Sequence, residues 1–113
     1  MIRLRAKIHL FTERQNGASK DGFSGMRPSF GFAGELITSE IVSPEGSANI
    51  YPRGSWSEVE IKLPYGEIFG DSIYKGMEFR INVGGWQVGH GKVEEIIEVF
   101  HDPKNADLLG DKP

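Results

Sequence analysis

The fold is decided by residues 77–88, which read Met77-Glu78-Phe79-Arg80-Ile81-Asn82-Val83-Gly84-Gly85-Trp86-Gln87-Val88. Apolar and polar side chains alternate as far as Val83, and a period of two over this length is typical of a strand with one buried face. Gly84-Gly85 follows at once, which is the composition of a two-residue hairpin turn. The pattern therefore predicts a partner strand after the turn, with apolar positions at Val88, Val93, Ile96 and Ile97.

Period-two alternation also occurs in other parts of the chain. Residues 2–12 place Ile2, Leu4, Ala6, Ile8 and Leu10 on one face and cations on the other. Residues 56–63 alternate in the same way. A further strand is predicted over residues 28–38, and its expected inward side chains are Phe30, Phe32 and Leu36. These segments predict half-buried strands with one solvated face.

Turn-forming residues separate the predicted strands. The chain has fifteen glycines and six prolines, and residues 13–26 contain Asn16-Gly17, Asp21-Gly22 and Gly25. No eleven-residue stretch shows a helical stripe, and the β-branched residues from Val93 to Phe100 favour a strand. We therefore predict one all-β domain over residues 1–100, a small barrel or sandwich. Residues 101–113 are polar and flanked by prolines, so we expect a flexible C-terminal tail.

Composition limits the class of protein without naming its function. The 113 residues are 38% hydrophobic and 26% charged, with a net charge of -3, which is an ordinary globular balance. There is no cysteine, so disulfides and thiolate chemistry are excluded. No apolar run approaches the length of a membrane span. The N-terminus lacks the apolar stretch of a signal peptide, so we expect a cytoplasmic protein with no membrane partner.

Charge is unevenly distributed along the chain. Residues 1–27 hold six bases and two acids, a balance of +4, whereas residues 28–113 hold seven bases and fourteen acids, a balance of -7. A basic opening on an acidic body is compatible with a polyanion-facing edge. A sheet edge that carries long solvated cations is the interpretation that the pattern favours. The predicted basic face consists of Arg3, Arg5, Lys7 and Arg14.

The sequence shows no pattern that argues for catalysis. His9, His90 and His101 are far apart and lack metal-site spacing, so scattered surface histidines are expected over a tertiary cluster. No nucleophile elbow or phosphate-binding loop occurs. Glu94-Glu95 are neighbours on a predicted strand, so we expect them to point to opposite faces. We predict a protein that is not an enzyme and has no metal or cofactor.

Two glycine-rich blocks resemble a known domain. The first, residues 16–30, follows the pattern Gly-Gly-Arg-x-x-Pro-Phe-Phe-x-Gly-Tyr-Arg-Pro-Gln-Phe and retains Gly17, Phe23, Gly25, Arg27, Pro28 and Phe30. The second, residues 79–93, follows Phe-x-Ile-Arg-Glu-Gly-Gly-Arg-Thr-Val-Gly-x-Gly-Val-Val. Both blocks, in this order and separation, resemble the C-terminal β-barrel domain of elongation factor Tu. The resemblance extends to about Ile97 and is weaker between the blocks.

The resemblance implies a fold and a class of function. It implies a six-stranded antiparallel barrel that does no chemistry. In the family this barrel packs against its neighbouring domains and contributes to the surface that holds the T-stem of aminoacyl-tRNA and the exchange factor. The chain resembles none of the other domains of the factor, so we expect neither nucleotide binding nor GTP hydrolysis. Contact with tRNA, or a protein interface, is what the resemblance can carry over.

The departures from the family pattern fall at ligand-facing positions. Ala18 and Trp86 stand where the family has arginines, and Ser29 stands where it has glutamine. Each lost cation removes one potential phosphate contact. Arg27 is compatible with ligand contact and with a structural role in satisfying loop carbonyls. Trp86 is compatible with an exposed interaction anchor and with a side chain folded over the barrel edge.

Two functions follow from these patterns. The first is a non-catalytic binding module that engages a protein partner or self-associates. The alternative is a module that binds tRNA or other structured RNA through the basic N-terminal strand and the glycine-rich turn. The candidate binding residues are Lys20, Arg27, Ser29, Gly84, Gly85, Trp86, Gln87 and His90.

Overall fold

The computed structural model describes residues 1–12, 21–45 and 49–99, which form nine strands and one short 3₁₀ helix. The strands are β1 (Ile2–Leu10), β2 (Gly22–Phe23), β3 (Ser29–Phe32), β4 (Glu35–Thr38), β5 (Glu40–Val42), β6 (Ile50–Tyr51), β7 (Trp56–Leu63), β8 (Glu78–Val83) and β9 (Trp86–Val99), and the helix is Gly66–Ser72. The prediction of an all-β domain is confirmed. Arg14, Lys20 and the predicted tail, residues 101–113, lie outside the described residues.

Seven strands form one curled antiparallel sheet in the order β4-β3-β8-β9-β1-β7-β5, and β2 pairs with β6 in a separate small sheet. The resemblance implied six strands, and the main sheet has seven. The strongly alternating strand β1 pairs with β9 on one side and β7 on the other, so it lies near the middle of the sheet. This central position agrees with its burial, because Leu4 and Ala6 are fully buried.

The segment predicted as a single strand, residues 28–38, is in fact a hairpin of β3 and β4. Ala33 has φ 44° and Gly34 has φ 83°, and a two-residue turn with positive φ at both positions joins antiparallel strands tightly. Gly84 and Gly85 make the predicted turn between β8 and β9 in the same way. The reversal also corrects the prediction for Leu36, which is 48% exposed, whereas Phe30 and Phe32 are buried as expected.

The core lies on the concave face of the curled sheet. Phe30 of β3 stacks on Phe79 of β8 with ring centroids 4.4 Å apart. Gly91 makes room for this pair, because a Cβ there would lie 2.5 Å from the Phe79 Cζ and 2.5 Å from the Lys7 carbonyl oxygen. The other buried hydrophobic side chains include Ile2, Leu4, Ile8, Leu10, Ile41, Val59, Ile61, Leu63, Ile81 and Val93.

Strand β9 runs without a break to Val99, so the residues after Val93 are a strand as predicted. Its pairing with β1 contains two register shifts, one between Arg3 and Leu4 and one between Arg5 and Ala6. Such bulges place an extra residue in one strand and re-aim its side chains. Glu94 and Glu95 consequently both meet cations of β1, so the prediction that they point to opposite faces is wrong.

Candidate binding surface

The two sequence blocks meet at a hollow of about 350 Å³ at one end of the sheet. The first block supplies the loop after β2, and the second supplies the β8–β9 hairpin. Leu10 at the end of β1 also contributes to the floor. The hollow is therefore a junction of segments that are distant in the chain, and its lining includes Phe23, Met26, Arg27, Pro28, Val83 and Val88.

Two exposed apolar side chains line this hollow, Phe23 (56% exposed) and Val83 (55%). Together with their register partners Ile50 (54%) and Trp86 (77%), they form what we call the rim patch. Phe23 and Ile50 are direct partners in the β2–β6 pair. Val83 and Trp86 are direct partners at the end of the β8–β9 hairpin. Two positions were predicted for the Trp86 side chain, one exposed and one folded over the barrel edge, and in the structure the side chain is exposed. Large apolar side chains grouped in this way mark interaction surfaces.

The loop that carries the first block is held firmly against β5. The Gly25 amide donates to the Ile41 carbonyl at 2.7 Å, and the Ile41 amide donates to the Met26 carbonyl at 2.9 Å. Gly22 lets β2 approach the core, because a Cβ there would lie 2.6 Å from Leu10 Cδ1. Half of the rim patch, Phe23 and Ile50, therefore lies in the β2–β6 pair next to a supported loop, and the other half lies on a tight hairpin, which reduces the entropy lost when a partner binds.

Arg27 and Ser29 occupy different places. The Arg27 side chain is largely exposed at the hollow, and its Nη2 donates to Glu40 Oε2 at 3.4 Å. The Pro28 carbonyl accepts from the Ser39 hydroxyl at 2.6 Å, so this loop carbonyl is satisfied by a serine. Ser29 lies in β3, opposite Thr38 and Asn82. Arg27 therefore lies at the edge of the hollow, whereas Ser29 lies within the sheet, between β4 and β8.

Each described cation of the predicted basic face lies beside a glutamate of β9. Arg3 Nη2 donates to Glu98 Oε1 at 2.7 Å. Arg5 pairs with Glu95 and is half exposed. Lys7 Nζ lies 3.7 Å from Glu94 Oε2. The described part of this face is therefore balanced in charge, and these cations are not grouped as a bare stripe for a polyanion.

The remaining residues of the glycine-rich turn are divided between two places. Gly84 and Gly85 supply the turn itself, and Gln87 donates from Nε2 to the Gly89 carbonyl at 3.2 Å. His90 lies farther along β9 and takes no part in the rim patch. The turn residues and His90 therefore do not form one site.

The structure also contains an aromatic cluster that was not predicted from the sequence. Its members are His9, Trp56, His90 and Phe11. The Trp56 ring lies 5.3 Å from the His9 ring and 5.2 Å from the His90 ring. Phe11 lies 5.8 Å from His90. Two of the three histidines are thus adjacent rather than scattered, while His101 lies outside the described residues. The cluster could be predicted only with knowledge of the strand register, because that register places His9 opposite both Trp56 and His90.

An open groove of about 820 Å³ lies beside this cluster. Its lining has three lysines and two glutamates, together with the Trp56 ring. Mixed charge of this kind does not distinguish an anionic ligand from a cationic one. The lining side chains with charge are Lys7, Lys75, Lys92, Glu58 and Glu94.

Comparison with known protein families gives no assignment, because no family model matches this chain. Among the described residues, no group of three or more His, Asp or Glu side chains could hold a metal ion. The part of the chain that the structure describes also contains no helix that could cross a membrane. The case for function consequently depends on the geometry of the surfaces described above.

Proposed function

We propose that this chain is a non-catalytic binding module of the elongation factor Tu C-terminal type, and that its rim patch docks a second copy of the same chain. The observation that carries the proposal is that two exposed apolar side chains, Phe23 and Val83, line one hollow, and that the register partner of each is also apolar and exposed. Burial of such a patch against a partner is favourable by about 25 cal/mol for each Å² of apolar surface removed from water. Two sequence blocks converge on this surface, and both belong to the resemblance.

The strand order supports the barrel type in this proposal. β4 and β5 lie at the two opposite ends of the sheet order, yet only Ser39 separates them in the chain. If β4 and β5 are counted as one bent strand, that strand contributes to both edges of the sheet, and the proposed barrel has six strands instead of the seven separate ones. Ser39 is buried at the bend, where its hydroxyl donates to the Pro28 carbonyl.

A second copy of the chain is the favoured partner because the same surface carries both an exposed aromatic side chain and a hollow. Trp86 is exposed and pairs with Val83, which lines a hollow of about 350 Å³. In a two-fold symmetric dimer each copy offers the same surface to the other. Trp86 of each copy would then enter the hollow of its partner, and the exposed Phe23 and Ile50 would be covered at the same time.

Binding of structured RNA is the second candidate, and the ion pairs weigh against it. Arg3, Arg5 and Lys7 each lie beside a glutamate, which lowers the number of cations free to displace counterions. The family arginines at positions 18 and 86 are also replaced, by Ala18 and Trp86. What favours RNA is the resemblance itself and the sequence balance of +4 over residues 1–27.

Sedimentation velocity over a wide range of protein concentration tests the proposal. We expect wild-type protein to show a reversible monomer–dimer equilibrium, and Trp86→Ala to remain monomeric at concentrations where the wild type is a dimer. Tyr74→Ala is the matched control, because Tyr74 is 57% exposed and lies away from the hollow lining. A monomeric wild type at every concentration overturns docking of a second copy. Salt-sensitive binding of bulk tRNA by that monomer would favour the RNA function instead.

A further inference from the structure

The outer face of the sheet brings two histidines together that are 81 positions apart in the chain. His9 of β1 is the direct register partner of His90 of β9, and their ring centroids are 5.4 Å apart with an angle of 48° between the planes. His9 Nδ1 is shielded from solvent and has no hydrogen-bond partner among the described residues. A neutral imidazole has one donor and one acceptor nitrogen, so a ring in this position has unused binding capacity.

The ring separation fits a shared ligand. Histidine nitrogens bind zinc and similar ions at about 2.0–2.1 Å, which places two imidazole centres on one tetrahedral ion roughly 5 Å apart. The observed separation of 5.4 Å is close to that value. Because the two residues are fixed opposite each other in a sheet, little backbone ordering is needed for both to reach one ion.

Charges around the pair do not oppose a cation. Arg80 of β8 is the register partner of His90, and Lys7 and Lys92 precede and follow the pair on β1 and β9. Three carboxylates offset these cations. Glu58 of β7 is opposite Lys7, Glu78 of β8 is opposite Lys92, and Glu94 lies 3.7 Å from Lys7. Three cations and three carboxylates leave the surroundings of the pair near neutral.

We propose that His9 and His90 form a two-imidazole binding site for one divalent ion of the later first transition row, with Cu²⁺ bound more tightly than Ni²⁺ or Zn²⁺. Imidazole nitrogen suits these ions, and affinity for nitrogen ligands rises to a maximum at Cu²⁺. Water completes the coordination, since the two histidines supply two ligands. Mg²⁺ and Ca²⁺ prefer oxygen ligands and are not expected to bind.

The aromatic neighbours shape the site and report on it. Trp56 lies 5.3 Å from His9 and 5.2 Å from His90, and Phe11 lies 5.8 Å from His90. These contacts place an indole ring beside both histidines. A paramagnetic ion held between the histidines would also quench the fluorescence of an indole at this distance.

Titration of the full chain with CuSO₄, followed by tryptophan fluorescence, tests the proposal. The Trp86→Phe background leaves Trp56 as the only tryptophan, and excitation at the red edge of the absorption band avoids the tyrosines. We expect quenching that saturates near one ion for each chain, weaker binding of ZnCl₂ in competition, and no effect of MgCl₂. His9→Gln and His90→Gln should each weaken Cu²⁺ binding by about tenfold or more, which corresponds to about 1.4 kcal/mol. His101→Gln is the matched control and should bind as the parent does.

Undiminished binding in both His9→Gln and His90→Gln overturns the site, and so does loss of binding in His101→Gln alone. The electron paramagnetic resonance spectrum of Cu²⁺ on the unsubstituted protein gives a second measurement that does not depend on a variant folding. Hyperfine structure from two nitrogen ligands supports the proposal. A spectrum with oxygen ligands only contradicts it.

Discussion

Lys7 and Glu94 form an ion pair with Nζ and Oε2 3.7 Å apart, although the direct register partner of Lys7 on β9 is another cation, Lys92. The register shift between Arg5 and Ala6 accounts for this contact, because it adds a residue to β9 and turns Glu94 toward β1. The same strand offers Glu95 to Arg5 and Glu98 to Arg3. The positive charges of Arg3, Arg5 and Lys7 on β1 are therefore neutralised by glutamates of β9.

The pairing of these cations with glutamates predicts how tightly the protein binds RNA. We expect wild-type protein to bind bulk tRNA only at low salt, because Arg3, Arg5 and Lys7 are already paired with glutamates. Replacing the three glutamates, Glu94→Gln, Glu95→Gln and Glu98→Gln together, should strengthen binding and make the log–log salt dependence steeper by about two to three. Fluorescence anisotropy with labelled tRNA at several salt concentrations measures both quantities.

A control of equal net charge separates the local effect from the general one. The triple variant Glu35→Gln, Glu45→Gln and Asp71→Asn removes three exposed carboxylates that form none of the ion pairs to Arg3, Arg5 or Lys7. It should bind tRNA much less tightly than the β9 variant. Equal gains in the two variants would show that net charge alone controls binding.

The Arg5–Glu95 pair should contribute little to stability. Both side chains are about half exposed, and exposed ion pairs typically contribute about 0.2–1 kcal/mol because water and salt screen them. A double-mutant cycle with Arg5→Ala and Glu95→Ala, followed by urea unfolding, should give a coupling energy below about 1 kcal/mol. A coupling several times larger would mean that the pair is far better shielded from water than its exposure indicates.

Two leucines of the same chemistry should respond differently to truncation. Leu4 is fully buried in the middle of β1, so Leu4→Ala should lower the free energy of unfolding by about 2–5 kcal/mol through lost burial and a residual cavity. Leu36 is half exposed on β4, and Leu36→Ala should cost less than about 1 kcal/mol. Chemical denaturation of both variants measures the difference. Similar losses at the two positions would contradict the β3–β4 reversal.

A side chain at position 91 should destabilise the protein. A Cβ at this position would lie 2.5 Å from both the Lys7 carbonyl oxygen and the Phe79 ring, and the strand backbone cannot move away from its own ladder. We expect Gly91→Ala to lower the free energy of unfolding by about 1–3 kcal/mol, the usual effect of overpacking. Thermal unfolding followed by circular dichroism measures it.

Gly25→Ala is the comparison for Gly91→Ala. Gly25 has φ 97° and open space around its Cβ position, so the substitution meets backbone strain but no contact. Its cost should be about 1 kcal/mol, as is usual for an alanine in a conformation that favours glycine. A Gly91→Ala variant as stable as wild type would show that β1 and β9 are spaced differently from the structure.

Trp86 should be important for association and unimportant for stability. With 77% of its surface exposed, the side chain has little burial to lose, so Trp86→Ala should shift Tm by no more than a few degrees. Differential scanning calorimetry at a concentration where the protein is monomeric isolates this effect from dimer dissociation. A large fall in Tm under that condition would identify Trp86 as a core residue and would remove it from the rim patch.

Much of the fold could be predicted from local patterns. The alternation in β1 and β7 correctly assigned their buried faces, and Gly84-Gly85 correctly marked the turn before β9. In β8 it was right for Phe79 and Ile81 but wrong at the end of the strand, where Val83 is 55% exposed and Asn82 is buried. The β3–β4 hairpin was missed because its turn includes Ala33, which seldom adopts a positive φ. Of the candidate site, Trp86 and Arg27 were named in advance, whereas Phe23, Ile50 and Val83 were not identified as neighbours on one surface.

The sequence by itself determined the buried faces of the regularly alternating strands β1 and β7 and the place of the Gly84-Gly85 turn, because both depend on neighbours within a few positions. Only the tertiary structure decided which strands pair and in which register. That register turned Glu94 toward Lys7, grouped the rim patch around one hollow and set His9 opposite His90. Pairing depends on hydrogen bonds and packing between segments far apart in the chain, and a bulge of one residue changes which side chains meet.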